Sequence, residues 1–170
     1  MQSPGHIGLA LLFAAPAWLV FHGLKTNFAF AGLAASMGMY PDVDLVLVKY
    51  LFIEHHGLTH GVFFLLASAL VIGAVVTGAY LAVRDGTTPS SLRVYAFVAV
   101  ALFVGMMAHL VGDVLTSPDI APPVKPLWPV VKEPIVLDAA FVKSNLWNLG
   151  PLALGIAVQT GFGIREYLDR

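Results

Sequence analysis

The sequence predicts an all-α integral membrane protein of about five hydrophobic helices, one of them short, with a proline-rich interfacial cap between the fourth and fifth. Three observations predict it. Of 170 residues, 58% are hydrophobic and only 11% charged, with a mean hydropathy of +0.83, whereas soluble domains carry roughly a quarter charged residues. Several apolar runs approach the ~20 residues that span a hydrocarbon core. The connection from Ser117 to Ser144 holds six prolines, so it cannot be one helix. It also mixes Trp128 and Ile135 with Lys125, Lys132 and Glu133, too apolar a blend for a free linker, and is expected to lie over the helix ends.

The first segment runs from about Pro4 to Phe21, with Ser3 as N-cap, Pro4 at the first helical position and Pro16 as a kink. Met1-Gln2-Ser3-Pro4-Gly5-His6 has no basic stretch ahead of the apolar run, so a retained helix is expected rather than a cleaved signal. The second segment, Asn27 to Met39, follows a Gly23-Leu24-Lys25-Thr26 turn and stops at Pro41. Its 13 residues rise only about 20 Å, short of a ~30 Å core. The third, His60 to Val83, is long enough to span, with Thr59 as its N-cap. The fourth runs from about Leu92 to Leu115 and the fifth from about Asn145 to Ile164. The polar stretch from Arg84 to Ser91 is a turn. With no internal repeat, residues 1–170 make a single membrane-embedded domain.

Composition also excludes. The formal net charge is −1 and there is no basic block, so nucleic acid is not an expected partner. The absence of cysteine removes disulfides, thiolate metal sites and cysteine nucleophiles.

Threading the helices antiparallel sends one group of residues to a single membrane face. His6 starts the first helix there, the second returns with Asp42 and Asp44, and the third leaves with His55, His56 and His60. The fourth comes back carrying His109 and Asp113, four residues apart on one helix face. His22 is the only histidine at the opposite face. Each residue has a bland reading: a helix-packing histidine, a turn aspartate after Pro41, an interfacial imidazole. Their joint convergence is harder to explain blandly, because an ionisable residue at helix depth needs a partner or a cavity. Nitrogen and oxygen donors without sulfur form a metal-site composition, with zinc favoured and manganese, iron or magnesium also compatible. Eight candidates exceed the four that one tetrahedral ion takes, leaving room for two ions.

The succession His6, "PDVD", "HHGLTH", "HLVGDVLTS" and "VKPLWP" resembles the YdjM-like family of membrane-bound, metal-dependent hydrolases, over nearly the whole chain and in order. By position, the resemblance places His55 and His60 in the two histidine places of the central motif. It puts Thr59 at the threonine, His109 and Asp113 at the helix-end pair, and Asp42 and Asp44 in the acidic turn. This sequence departs at His56, where the family has arginine, and at Gly61, where it has serine. The missing arginine weakens phosphate recognition there and makes His56 a rival ligand. Helical i, i+4 spacing to His60 favours His56; the motif favours His55.

The resemblance implies a hydrolase as the reaction class. The expected function is hydrolysis of a lipid-like ester or phosphoester by metal-activated water at one membrane face, with Asp44, Asp113 and His60 as catalytic candidates. No Gly-x-Ser-x-Gly elbow or His-Glu-x-x-His is present to support serine-hydrolase or zincin chemistry. The alternatives are a metal or proton carrier and a structural membrane protein with a bound metal. A carrier needs polar residues continuing across the bilayer, and the fourth helix has no titratable side chain from Ala96 to Ala108. A multi-pass protein of the cell membrane is expected. Lys25, Arg84, Arg93, Arg165 and Arg170 lie in short stretches on the face opposite the cluster. Lys49, Lys125, Lys132 and Lys143 are spread over long loops on its own face. This density places the cluster on the extracytoplasmic side.

Overall fold

The computed structural model describes residues 1–84 and 90–169; Asp85–Pro89, most of the expected polar turn, and Arg170 lie outside the described residues. Pro16 divides the first apolar run into α1 (Ser3–Ala14) and a short α2 (Ala17–Val20). Its ring cannot supply the N–H that an unbroken helix needs there. The N-cap of α1 is Gln2, not Ser3, and Pro4 lies in the first turn as expected. The second helix, α3 (Leu24–Met37), begins three residues before the sequence expectation. Gly23 makes the whole reversal with φ 100°, a conformation that costs glycine little, so Leu24, Lys25 and Thr26 are already helical.

A 3-10 turn over Pro41–Val43 leads into a four-residue α4 (Asp44–Leu47). Irregular chain then reaches a second 3-10 turn, Leu58–His60, before α5 (Val62–Ala82). The N-cap of α5 is Gly61 rather than Thr59. Two long helices follow, α6 (Ser91–Thr116) and α7 (Asn145–Leu168). Among the described residues there is no strand, only an isolated bridge between Val124 and Ile135. Three stretches among them are long and apolar enough to cross a membrane: Ser3–Val20, Val62–Ala82 and Ser91–Thr116. At 14 residues, α3 rises about 21 Å and reaches only part-way through the ~30 Å core.

The centre of the bundle is α6. Against one side lies α5, where Leu65 and Ala69 meet Val98, Leu102, Met106 and Leu110. Against the other lie α1 and α3, with Ala14, Phe30, Ala31 and Ala34 packed on Ala101. Between helices in lipid, close approach comes from small residues rather than hydrophobic exclusion. Gly105 of α6 lies directly on the Ala34 backbone of α3, and Gly8 of α1 on the Pro151–Leu152 backbone of α7; a methyl group at either would overlap. Gln159 of α7 is buried, accepting from Trp18 Nε1 at 2.7 Å and donating to the Leu11 carbonyl at 2.8 Å.

The 117–144 connection is tied to the ends of α5 and α6. Val124 is fully buried in the α5–α6 core. The Val62 N–H donates to the Pro126 carbonyl, and the Ala139 and Ala140 N–H groups donate to Leu115. These bonds satisfy helix-end groups that would otherwise face lipid unpaired.

Candidate metal centre

Four chain segments deliver polar side chains to one end of the bundle. Asp42 rides the 3-10 turn that follows α3, and Asp44 is the first residue of α4. His60 closes the second 3-10 turn, one residue before the cap of α5. His109 and Asp113 project from adjacent turns of α6, and His6 from the first turns of α1. All except Asp42 are almost inaccessible: His60, His109 and Asp44 show 0% exposure, His6 1% and Asp113 3%.

Asp42, His60, His109 and Asp113 form the core of the cluster, offering four ligand atoms within 4.8 Å of one another. His60 Nε2 lies 3.3 Å from Asp113 Oδ2 and 3.7 Å from Asp42 Oδ1. His109 Nε2 lies 2.8 Å from Asp113 Oδ2 and 3.4 Å from Asp42 Oδ1. Ligand atoms 2.0–2.2 Å from a tetrahedral ion stand about 3.3–3.6 Å apart; the 3.3 and 3.4 Å spacings match this, the 3.7 Å one lies close to it, and the 2.8 Å contact of His109 with Asp113 would open on binding. The hydrogen-bond census points the same way. His60 Nε2, His109 Nε2 and Asp113 Oδ2 are buried without a hydrogen-bond partner. Without an ion they meet only as close ion pairs, His109 Nε2 and His60 Nε2 lying 2.8 and 3.3 Å from Asp113 Oδ2, and a cation seated among them would give all three a partner.

The remaining atoms of these side chains are occupied, which fixes how the free ones point. His109 Nδ1 donates to the Gly38 carbonyl at 2.7 Å. His60 Nδ1 sits 3.1 Å from Thr59 Oγ1 and 3.2 Å from Asp44 Oδ2. Thr59 in turn donates to Asp44 Oδ2 at 2.8 Å. Asp113 Oδ1 takes the Met1 amino group at 3.0 Å. Such outer partners select the tautomer that leaves Nε2 as the donor atom toward a metal.

The other histidines are arranged around this core. His6 stacks on His109, ring centroids 3.8 Å apart, with Nε2 donating to the Met1 carbonyl and Nδ1 unpaired. His55 donates from Nδ1 to Asp44 Oδ1 at 3.0 Å and is about a quarter exposed. His56 donates from Nδ1 to the Pro122 carbonyl at 2.6 Å, leaving Nε2 3.8 Å from Asp113 Oδ2. The chain is not helical at His56, whose φ is 62°, so the i, i+4 argument for it does not apply. Even so, its ring lies 4.7 Å from that of His60. His55, His56 and His60 form a second group with metal-ligand spacing, and Asp42, Asp44 and His55 a third. His22 lies elsewhere, in a cavity with Trp18 and Arg165.

Electrostatics outside the spanning segments follow from these contacts. Burial alone would raise the Asp42 carboxyl, but the imidazoles of His109 and His60 outweigh it and hold the group below the usual carboxylate range. Burial would likewise raise Asp44, and His55, His60 and Thr59 hold it down. For His60, burial is outweighed by the carboxylates of Asp113, Asp42 and Asp44, which raise the imidazole to about 10. Burial dominates at His56 and lowers it to about 4 despite Asp113.

All eight residues singled out in the sequence meet at this end of the bundle. Sequence reasoning missed the carbonyls of Gly38 and Pro122 as orienting groups, because a backbone acceptor leaves no compositional signal. It also took Thr59 for a helix cap, whereas its hydroxyl serves Asp44. A family model described as YdjM inner membrane protein matches residues 1–168. No curated protein and no solved structure matches the chain.

Proposed function

The chain belongs to the YdjM inner membrane protein family, and we propose that it is a metal-dependent hydrolase acting on a lipid-like ester or phosphoester at one membrane face. The observation that carries this reading is the set of buried ligand atoms on His60, His109 and Asp113 that, with one on Asp42, lie within 4.8 Å of one another. Two imidazoles and two carboxylates suit zinc best among divalent ions. An ion held there would supply Lewis acidity, lowering the pKa of water and polarising a carbonyl or phosphoryl oxygen.

The protein's own groups supply position and proton transfer. Asp42, His60, His109 and Asp113 are the proposed ligands, and Asp44 and Thr59 fix the His60 ring. A catalytic ion needs a position open to water, so Asp42, the most exposed of the four, would yield its place or share a five-coordinate ion. His6, stacked on His109, braces that ring, with its Nε2 3.3 Å from Asp113 Oδ1. His55 and His56 are the candidates for a second ion's ligands. Alternatively, His55 accepts a proton, since it alone among the clustered imidazoles is partly exposed and Asp44 backs its Nδ1. Asp44 then acts in proton transfer through His55.

The substrate class rests on the surroundings. A cavity of about 150 Å3 lined by Asp42, His55, His56 and Asp113 opens beside the core, enough for a small reacting group. Leu45, Val46, Leu51 and Phe52 stand exposed on the chain between Asp44 and His55. Such a rim suits an amphiphile that keeps its tail in the bilayer.

The test uses one detergent-purified preparation. Wild type should carry a divalent ion and hydrolyse a lipid-like ester or phosphoester, with activity abolished by chelator. His60→Ala, His109→Ala and Asp113→Ala should each lose metal and activity while keeping helical content. Well-folded wild type without metal in elemental analysis would remove the reading. Metal or proton flux in proteoliposomes without hydrolysis would replace it with a carrier.

A further inference from the structure

A second cavity, of about 700 Å3, lies far along the bundle from the metal centre, between α3 and α5 on the surface of α6. Its volume falls within the roughly 300–1,000 Å3 typical of ligand sites. Phe97 and Val98 of α6 form its floor, Gly32 and Leu33 line the α3 wall, and Val76 lines the α5 wall. A side chain added at Gly32 would meet nothing within 4 Å, so this wall is open. Toward the metal centre the groove is closed, because the Tyr40 hydroxyl after α3 donates to Ser68 Oγ of α5 at 3.2 Å. From Lys25 to Leu33 the wall rises about 12 Å, close to the ~15 Å depth of one leaflet's hydrocarbon.

The open end has different chemistry. Lys25 and Arg93 lie at this mouth, both exposed. They belong to the first turns of α3 and α6, and neither helix has a side-chain cap hydrogen bond there. Two helix starts therefore bring the positive ends of their dipoles to this mouth, that of α3 partly met by the Glu166 carboxylate at the Gly23 N–H. Arg84 stands at the same rim, its Nη1 donating to the hydroxyl of Tyr80, another lining residue. Glu166 accepts from the Gly23 N–H but lines a different cavity, with Trp18 and His22.

We propose that this groove holds one acyl chain of an anionic phospholipid from the leaflet opposite the metal centre, with its phosphate between Lys25 and Arg93. Charge complementarity selects the occupant: an apolar cleft one leaflet deep meets the basic side chains of Lys25 and Arg93 at headgroup level. A zwitterionic lipid fills the cleft equally well but adds a cation at a mouth that is already positive. The assignment is independent of the metal centre and of the reaction proposed there.

Native mass spectrometry of the purified protein, offered phosphatidylglycerol and phosphatidylcholine in equal amounts, tests it. Wild type should retain phosphatidylglycerol about thirtyfold over phosphatidylcholine, the ratio expected from two basic side chains at a membrane surface. Lys25→Gln with Arg93→Gln should bring the two lipids to equal retention. Gly32→Phe, which fills the open wall, should lose bound lipid of both kinds while keeping helical content and metal. Equal retention by wild type, or a preference that survives both variants, overturns the proposal. Inorganic phosphate displacing phosphatidylglycerol as effectively as added lipid does would identify a simple anion site and overturn it as well.

Discussion

His60 illustrates how much a single residue's role depends on its contacts. In the sequence it is one of three histidines within six positions; in the fold, three carboxylates surround it and Asp44 and Thr59 hold its Nδ1. Its raised value, about 10 against 6.5 for a free imidazole, means that the metal-free protein keeps a proton there through neutral pH. An ion binding at Nε2 must displace that proton, so metal affinity should rise with pH, by about tenfold per unit for one displaced proton. Competition against a chromogenic chelator at pH 6, 7 and 8 measures this, and a flat profile would remove His60 from the ligand set. The same shift acts on stability. A folded value above the unfolded one stabilises fully below about pH 6.5 and less as pH climbs toward 10. The chelated protein should accordingly lose thermal stability over that window, and the metal-loaded protein should lose less, since the ion takes the proton's place.

At the scale of elements, the site depends on where helices stop and how closely they approach. Met37 ends α3, and the Gly38 carbonyl left free beyond it becomes the acceptor that orients His109. That bond needs α3 pressed against α6, which Gly105 permits by leaving room for the Ala34 backbone one helical turn before His109. Gly105→Leu should therefore push the two helices apart. The expected effects are a loss of about 1–3 kcal/mol in stability, the range for overpacking a close contact, and a lower metal content although no ligand has been changed. Denaturant unfolding in detergent and elemental analysis read the two effects. Unchanged values for both would show that the contact does not position the site. The same distinction between helix and helix end explains the Thr59 outcome. A cap was expected because Thr59 precedes an apolar run, but the chain inserts a 3-10 turn first and Gly61 takes the cap.

For the whole molecule, the distribution of basic residues bears on which face the His/Asp cluster occupies. Lys25, Arg84, Arg93 and Arg165 cluster near helix ends at the face away from it, whereas the lysines on its own face are scattered over long connections. Short, basic stretches remain cytoplasmic. Reporters inserted after Arg84 and fused after Arg170 should both score cytoplasmic, placing the centre on the outer side. Both scoring outside would reverse the orientation and remove an outer-leaflet lipid as substrate. The lipid groove proposed at the basic face would then face outward as well, so the same reporters fix the leaflet that supplies its occupant.

The sequence by itself determined the membrane character, the helical class, the family resemblance and the gathering of eight His and Asp residues at one end. These follow from quantities that are local along the chain: hydropathy, segment length and the alternation of helix direction. Only the tertiary structure decided which of the eight stand as a tetrad and which orient it. His55 and His56 are adjacent in sequence, yet one ring turns to Asp44 and the other to Pro122, because His56 adopts a left-handed backbone held by partners from distant segments. The groove between α3 and α5 was equally illegible, since it exists where two helices share α6 as a floor and leave a gap between them. Distances between side chains from separate segments depend on packing and on backbone acceptors, and neither writes a pattern into the order of residues.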